Sequence, residues 1–169
     1  GGVNDMILPG QEGEIIVYAD ADTIFSEYLN RPDATAEKLV DGWYFTGDIG
    51  VLHKNGDVDL KGRVDDLIRS GGENIYPDEI EKLKSSHPSV KEIAVIGTPH
   101  QKWGEVVTAC IAAESVAIEE LDTIFRQSNM ADFKRPRIYL QVERLPRNAA
   151  GKVLRQDLKK IVEEARMGN

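Results

Sequence analysis

Between Lys61 and Glu81 the chain reads KGRVDDLIRSGGENIYPDEIE, and no other stretch constrains the fold as much. Upstream of it the sequence writes short β-branched runs separated by turn residues, and downstream of it helical periodicities set in. An Asp-Asp pair, a Gly-Gly pair and a proline at the mouth of a helix lie close together. That is the pattern of a hinge followed by a surface of bare backbone. A boundary near Asp65 follows, with a β-rich part over residues 1–64 and a second domain over residues 65–169.

In the first part, the β-branched content of residues 14–18 predicts a strand after the Pro9-Gly10 turn. Asp33 is placed to cap a short helix over residues 34–39, which Asp41-Gly42 ends. Asn55-Gly56 is the preferred pair for a two-residue hairpin turn. A turn centred there places Ile49, Val51, Val58 and Leu60 on one face and Lys54, Asp57, Asp59 and Lys61 on the other, with Leu52 as the exception. It also sets Asp48 opposite Arg63 at the open end of the hairpin. Two readings stand for that pair: a cross-strand salt bridge, or a carboxylate and a guanidinium that together hold a diol such as a ribose.

In the second part, Pro77 suits the first position of a helix, Asp78 and Glu79 suit its positive end, and Ile80 with Leu83 forms an apolar stripe up to His87-Pro88. Buried-type strands are expected over residues 90–97, 106–113 and 138–142. Helices are expected over residues 118–127, with Ile118, Leu121 and Phe125 on one side, and over residues 155–165, with Leu158, Ile161, Val162 and Ala165 inward. A small sheet covered by helices, an α+β domain, is the economical packing.

Composition removes several classes of function. A net charge of −8 over 169 residues opposes non-specific binding to nucleic acid or to an anionic membrane. No apolar run approaches the roughly 18 residues of a transmembrane helix. The lone Cys110 cannot form an internal disulfide, and the three histidines lack metal-ligand spacing. A cytoplasmic protein without a metal site in this stretch is expected. The opening Gly1-Gly2 without an initiator Met reads as a piece of something longer.

Three groups of residues invite chemistry. Gly71-Gly72 is either a tight turn or a place where a ligand lies against the backbone. Lys152 sits on a loop of small residues, Ala149-Ala150-Gly151, where it either solvates the surface or delivers a long flexible cation to an anionic centre. The loop lacks the spacing of a Walker motif. Trp103, Phe133, Arg135 and Arg137 join aromatics to guanidinium groups, which suits stacking on a base and pairing with phosphates, unless the two rings are buried anchors.

Taken as a set, these segments resemble the C-terminal portion of the adenylate-forming acyl-CoA and aryl-CoA ligases. The matching segments are Gly42-Trp43-Tyr44-Phe45-Thr46-Gly47-Asp48, Gly62-Arg63-Val64-Asp65-Asp66, Ser70-Gly71-Gly72-Glu73-Asn74-Ile75 with Pro77 and Glu79, and Leu145-Pro146 through Lys152. Residues 131–137, ADFKRPR, together with Trp103-Gly104-Glu105, look most like the aryl branch, which includes 4-chlorobenzoate-type ligases.

The resemblance implies that a carboxylic acid reacts with ATP to give an acyl-adenylate and pyrophosphate, and that CoA then captures the acyl group and releases AMP. It implies that Asp48 and Arg63 hold the nucleotide, that Lys152 bridges carboxylate and phosphate, and that Asp65 is the hinge of a mobile domain. Gly71 and Gly72 would border the pantetheine tunnel, with Trp103, Phe133 and Arg135 at the CoA nucleotide and Arg137 as a weaker candidate. The family's phosphate loop and its Tyr-Gly-x-Thr-Glu motif do not occur in the sequence. The remaining part of the ATP site, the magnesium ligands and the acid pocket are therefore expected in an N-terminal domain of the same enzyme, and the chain alone is expected to be inactive. Alternatives are a domain that loads a carrier protein and a non-catalytic α+β binding module.

Overall fold

The computed structural model describes residues 7–19, 27–83, 89–113 and 117–167. The chain forms two compact units, Gly1–Asp65 and Asp66–Asn169, and each is mixed α and β.

The first unit is built on β3 (Trp43–Leu52). β1 (Glu12–Tyr18) pairs antiparallel along one edge, and β2 (Leu39–Val40) and β4 (Val58–Arg63) pair with it as well. The short helix α1 (Pro32–Lys38) begins one residue before the expected cap. Proline's fixed φ suits the first helical turn, so Asp33 lies inside that turn, near its positive end, and Arg31 stands at the cap position without a side-chain capping bond. Leu39 leaves the helix for β2.

The hairpin departs from expectation twice, and the departures cancel. His53 N–H donates to the Asp57 carbonyl at 2.8 Å and Gly56 N–H to the His53 carbonyl at 3.0 Å, which closes a loop over Lys54, Asn55 and Gly56. Only Gly56 takes a positive φ, +92°, so a three-residue loop replaces the two-residue turn. Pairing near the loop is thus shifted by one, with Leu52 opposite Val58 and Gly50 opposite Leu60. A bulge at Lys61 restores the register, and Asp48 again faces Arg63. The one-residue shift moves Val58 and Leu60 off the face of the buried Ile49 and Val51, and both are exposed, at 51% and 71%. The predicted common apolar face does not form.

The second unit is a five-stranded sheet. β5 (Ile68–Ser70) and β6 (Glu73–Ile75) form a small hairpin, β7 (Glu92–His100) and β8 (Gly104–Ala112) a long one, and β9 (Ile138–Val142) runs parallel to β8. Side chains alternate along β7 and β8. Ile93, Val95, Val107, Ala109 and Ile111 point to one side, where they meet Ile80 of α2 (Pro77–Glu81) and Leu121 and Phe125 of α3 (Ile118–Gln127). Ala94, Ile96, Cys110 and Ala112 point to the other, where they meet Leu158 and Val162 of α4 (Arg155–Met167). Two fully buried threonines, Thr98 and Thr108, satisfy each other at 2.7 Å. The expected stop of α2 at His87-Pro88 lies outside the described residues.

α3 is fastened to β9 through Asp122. Its carboxylate accepts from Arg126 Nε at 2.6 Å, from Tyr139 Oη at 2.9 Å, and from Arg135 Nη1. Burial opposes ionisation of Asp122, but these donors outweigh it and bring the carboxyl down to about 2. Because the folded value is below the ordinary carboxylate value, this stabilisation is complete above about pH 4 and is lost as the pH falls towards 2. Asp122→Asn is expected to lower stability at pH 7 by about 1 to 2 kcal/mol. The gap to the parent should close between pH 4 and pH 2, as read by urea unfolding across that range.

Candidate functional site

The first candidate site grows from a bulge in β3. Glu14 pairs with Ile49 and Ile16 with Phe45, so Thr46, Gly47 and Asp48 together face the single residue Ile15. The chain can make this excursion because Gly47 adopts φ +76°. Its exposed polar groups are then taken up locally. Thr46 Oγ1 donates to the Ile15 carbonyl at 2.8 Å and accepts from Asp48 N–H at 3.0 Å, and Gly47 N–H donates to Glu14 Oε1 at 2.9 Å. Arg63 lies across the bulge, donating to Asp48 Oδ1 at 2.8 Å and to the Thr46 carbonyl at 3.1 Å. A Cβ on Gly47 would stand 2.7 Å from Arg63 Nη2, so the glycine also makes room for the guanidinium. Asp48 and Arg63 keep 40% and 36% of their side-chain surface, which leaves a carboxylate and a guanidinium side by side and open to a ligand. Asp65, in the 3-10 turn Val64–Asp66, is the last residue of this unit and lies 3.9 Å from Arg63.

In the second unit, Lys152 stands on a tight turn closed by an Arg147–Val153 bridge and by Leu154 N–H to the Pro146 carbonyl at 2.8 Å. Arg147 donates to the Gly151 carbonyl and pairs with Glu92 at the start of β7. Among the described residues none pairs with the Lys152 ammonium. A long cation is therefore displayed from a held backbone.

A groove of about 350 Å³ lies at the other end of the β7–β8 hairpin. Gly71 and Gly72, at φ +61° and +90°, form the two-residue turn of the β5–β6 hairpin. The turn reading of this pair holds, and so does the open backbone: nothing lies within 4 Å of a Cβ placed on Gly72. Gly71 N–H donates to the Trp103 carbonyl at 3.0 Å, which ties this turn to the β7–β8 turn. Trp103 and Phe133 both line the groove and are 38% and 44% exposed, so neither is a buried anchor. Trp103 is stacked on His100 with ring centroids 4.5 Å apart, and Lys102 Nζ stands 5.8 Å over its ring.

Of the two arginines, Arg137 lines the groove and Arg135 does not. Arg135 keeps only 12% of its side-chain surface and is held by Asp122 and, at 3.3 Å, by Asp132. Arg137 pairs with Asp132 at 2.6 Å. Burial of Cys110 pushes its thiol up to about 12, so it offers no nucleophile. Among the described residues no three His, Cys, Asp or Glu side chains gather as metal ligands.

Residues 79–152 match the family model of the AMP-binding enzyme C-terminal domain. A 4-chlorobenzoate–CoA ligase of an Arthrobacter species is 51% identical over 154 residues, which is 90% of this chain and 30% of that protein. This chain carries the C-terminal domain of an AMP-binding enzyme. A 2-succinylbenzoate–CoA ligase of Bacillus cereus is 42% identical over 94% of the chain and 33% of its own length. The solved o-succinylbenzoate coenzyme A synthetase of Bacillus subtilis, in complex with ATP and magnesium, superposes with a TM-score of 0.81 at 36% identity over 94% of this chain and 33% of that one. The chain thus spans about a third of the length of these relatives.

Sequence reasoning missed Arg155, Asn148 and Asp132. Arg155 joins α4 to Glu81 at 2.8 Å, to Asp66 at 3.4 Å and to Asp78 at 3.5 Å, and it also donates to the Val95 carbonyl. No local pattern announces such a residue, because its partners come from distant segments. Asn148 carried a legible signal, since a side-chain acceptor before small residues is a turn former.

The bulge makes a direct prediction. Gly47→Ala should cost about 1 to 3 kcal/mol from left-handed backbone strain alone. It should also push Arg63 off Asp48. Urea unfolding of a Trp103→Phe background, with Trp43 as the reporter, measures the loss.

Proposed function

We propose that this chain is the part of an AMP-forming acid–CoA ligase that grips the nucleotide ribose, supplies the cation for adenylation and then offers the surface for CoA. In the first step the substrate carboxylate attacks the α-phosphorus of ATP, and pyrophosphate leaves. In the second the CoA sulfur attacks the acyl-adenylate carbonyl, AMP leaves, and the thiol proton is released. Asp48 accepts hydrogen bonds from the ribose hydroxyls beside Arg63. Lys152 places its ammonium where charge gathers on the five-coordinate phosphorus.

The observation that carries this reading is the Lys152 turn: an ammonium without a described partner, presented from a backbone fixed by its own hydrogen bonds. A second observation supports the two-step use of the domain. The Lys152 turn is tied to Glu92 and the groove to Trp103, at opposite ends of β7, a nine-residue strand that spans roughly 26 Å at about 3.3 Å per residue. One reacting carbonyl cannot meet both ends at once, so the domain turns between steps, with Asp65 as the pivot.

In the second step Gly71 and Gly72 border the pantetheine arm, and Trp103 and Phe133 stack on the adenine. Arg137, which lines the groove, is the guanidinium that meets the CoA phosphates, whereas Arg135 stays engaged with Asp122 and Asp132. Aryl acids are the favoured substrate class, on the likeness to the 4-chlorobenzoate and 2-succinylbenzoate ligases. Magnesium arrives with ATP rather than through ligands of this chain, and a cytoplasmic setting supplies both ATP and CoA. No described helix is long and apolar enough to cross a membrane.

In the whole ligase, Lys152→Ala should slow pyrophosphate release by roughly 10²- to 10³-fold and leave thioester formation from added acyl-adenylate intact. Adenylation at the parent rate would overturn the reading. Trp103→Ala should weaken CoA binding while adenylation persists, and an unchanged CoA affinity would favour a carrier-protein phosphopantetheine as the acceptor. The 169-residue chain alone, given ATP, CoA, magnesium and an aryl acid, should produce no AMP.

A further inference from the structure

We infer that Asn148 is the positioning residue of Lys152, holding the backbone from which the ammonium is presented; this rests on the reading of Lys152 as the cation of adenylation. Lys152 is bound on both sides by one residue. Its N–H donates to Asn148 Oδ1 at 2.9 Å, and its carbonyl accepts from Asn148 N–H at 3.0 Å. Within the same turn, Ala150 N–H donates to Asn148 Oδ1 at 3.0 Å and Gly151 N–H to the Asn148 carbonyl at 2.9 Å.

Nothing else inside the turn replaces these bonds. Ala149, Ala150 and Gly151 are exposed and too small to pack, and Gly151 sits at φ +80°, a conformation glycine enters without strain and leaves as easily when nothing holds it. Without the Asn148 acceptor the turn's amides would turn to water, and the residues would regain the freedom that ordering removed. Arg147 provides an outer tie, from the Gly151 carbonyl to Glu92 on β7. That tie fixes the base of the turn to the sheet but touches neither backbone group of Lys152.

Lysine makes this support important. Its ammonium rides on a flexible four-carbon stem, so the reacting geometry is set first by where the Cα stands and only then by the rotamers. A displacement of about 1 Å in a positioned group can cost about 100-fold in rate. Only the acceptor half of the Asn148 amide is engaged among the described residues. The requirement is therefore for an oxygen at that point, which an aspartate also supplies and an alanine does not.

The test separates this inference from the reading it rests on. In the whole ligase, pyrophosphate release from acid and ATP is compared with thioester formation from added acyl-adenylate and CoA, for Lys152→Ala, Asn148→Ala and Asn148→Asp. Asn148→Ala should slow the first step about 10- to 100-fold through kcat, with little change in KM for ATP and none in the second step. Asn148→Asp should restore the first step to within about threefold of the parent. In the 169-residue chain, amide hydrogen exchange at Ala150 and Lys152 should speed up in Asn148→Ala and not in Asn148→Asp.

If Lys152→Ala slows adenylation and Asn148→Ala does not, the inference falls and the functional reading stands. Equal slowing of both steps by Asn148→Ala, or an aspartate variant as slow as the alanine one, also overturns it. If Lys152→Ala itself adenylates at the parent rate, the functional reading fails and takes the inference with it.

Discussion

The burial of β7 and β8 on both faces is the constraint on which the second unit depends. Each strand sends alternate residues into two different cores, one under α2 and α3 and one under α4. A shift of one residue would exchange the cores, putting Val95 where Ile96 and Ala94 now fit, so the register is fixed from both sides at once. Each fully buried aliphatic side chain contributes roughly 1.5 to 3 kcal/mol, and several come from each strand. The ends of this hairpin are consequently fixed points. Trp103 and Glu92, from which the groove and the Lys152 turn are hung, occupy those two ends.

Around this frame the polar groups are settled by side chains from elsewhere in the chain. Glu81 accepts the Val95 N–H at 2.7 Å and pairs with Arg155, which reaches on to Asp66 and Asp78. Glu105 accepts the Arg69 N–H at 2.8 Å. It fits there because Gly97 has no side chain: a Cβ on that residue would lie 2.6 Å from the carboxylate. Among the described residues no buried side-chain nitrogen or oxygen lacks a partner. The same economy operates in the first unit, where Thr46, Glu14 and Arg63 take up the backbone groups that the β3 bulge exposes.

Beside the groove, arginines and carboxylates hold one another in place. Asp132 is held below the usual carboxylate range, chiefly by the hydrogen bond from Arg137 and also by that from Arg135. Burial works against the charge on Arg135, but its bonds to Asp122 and Asp132 keep it firmly protonated. Both guanidinium groups are thus ordered by carboxylates, and the conformational cost of ordering them is met by the fold.

The local sequence determined where most elements lie. Asp48 faces Arg63 as expected, but through a three-residue turn and a bulge at Lys61 that offset each other. The α3 helix at residues 118–127, the β9 strand at residues 138–142 and the Gly71-Gly72 turn were legible directly. Each rests on interactions a few residues apart or on an alternation that two neighbouring strands share. Tertiary structure alone decided that Val58 and Leu60 face solvent, because the choice between a two-residue and a three-residue turn at Asn55-Gly56 rests on small local preferences. It alone decided that Arg135 is held against Asp122 while Arg137 enters the groove, and that Arg155 joins three segments. The last two outcomes depend on contacts between residues far apart in the chain, and no local pattern encodes which distant partner a charge will meet.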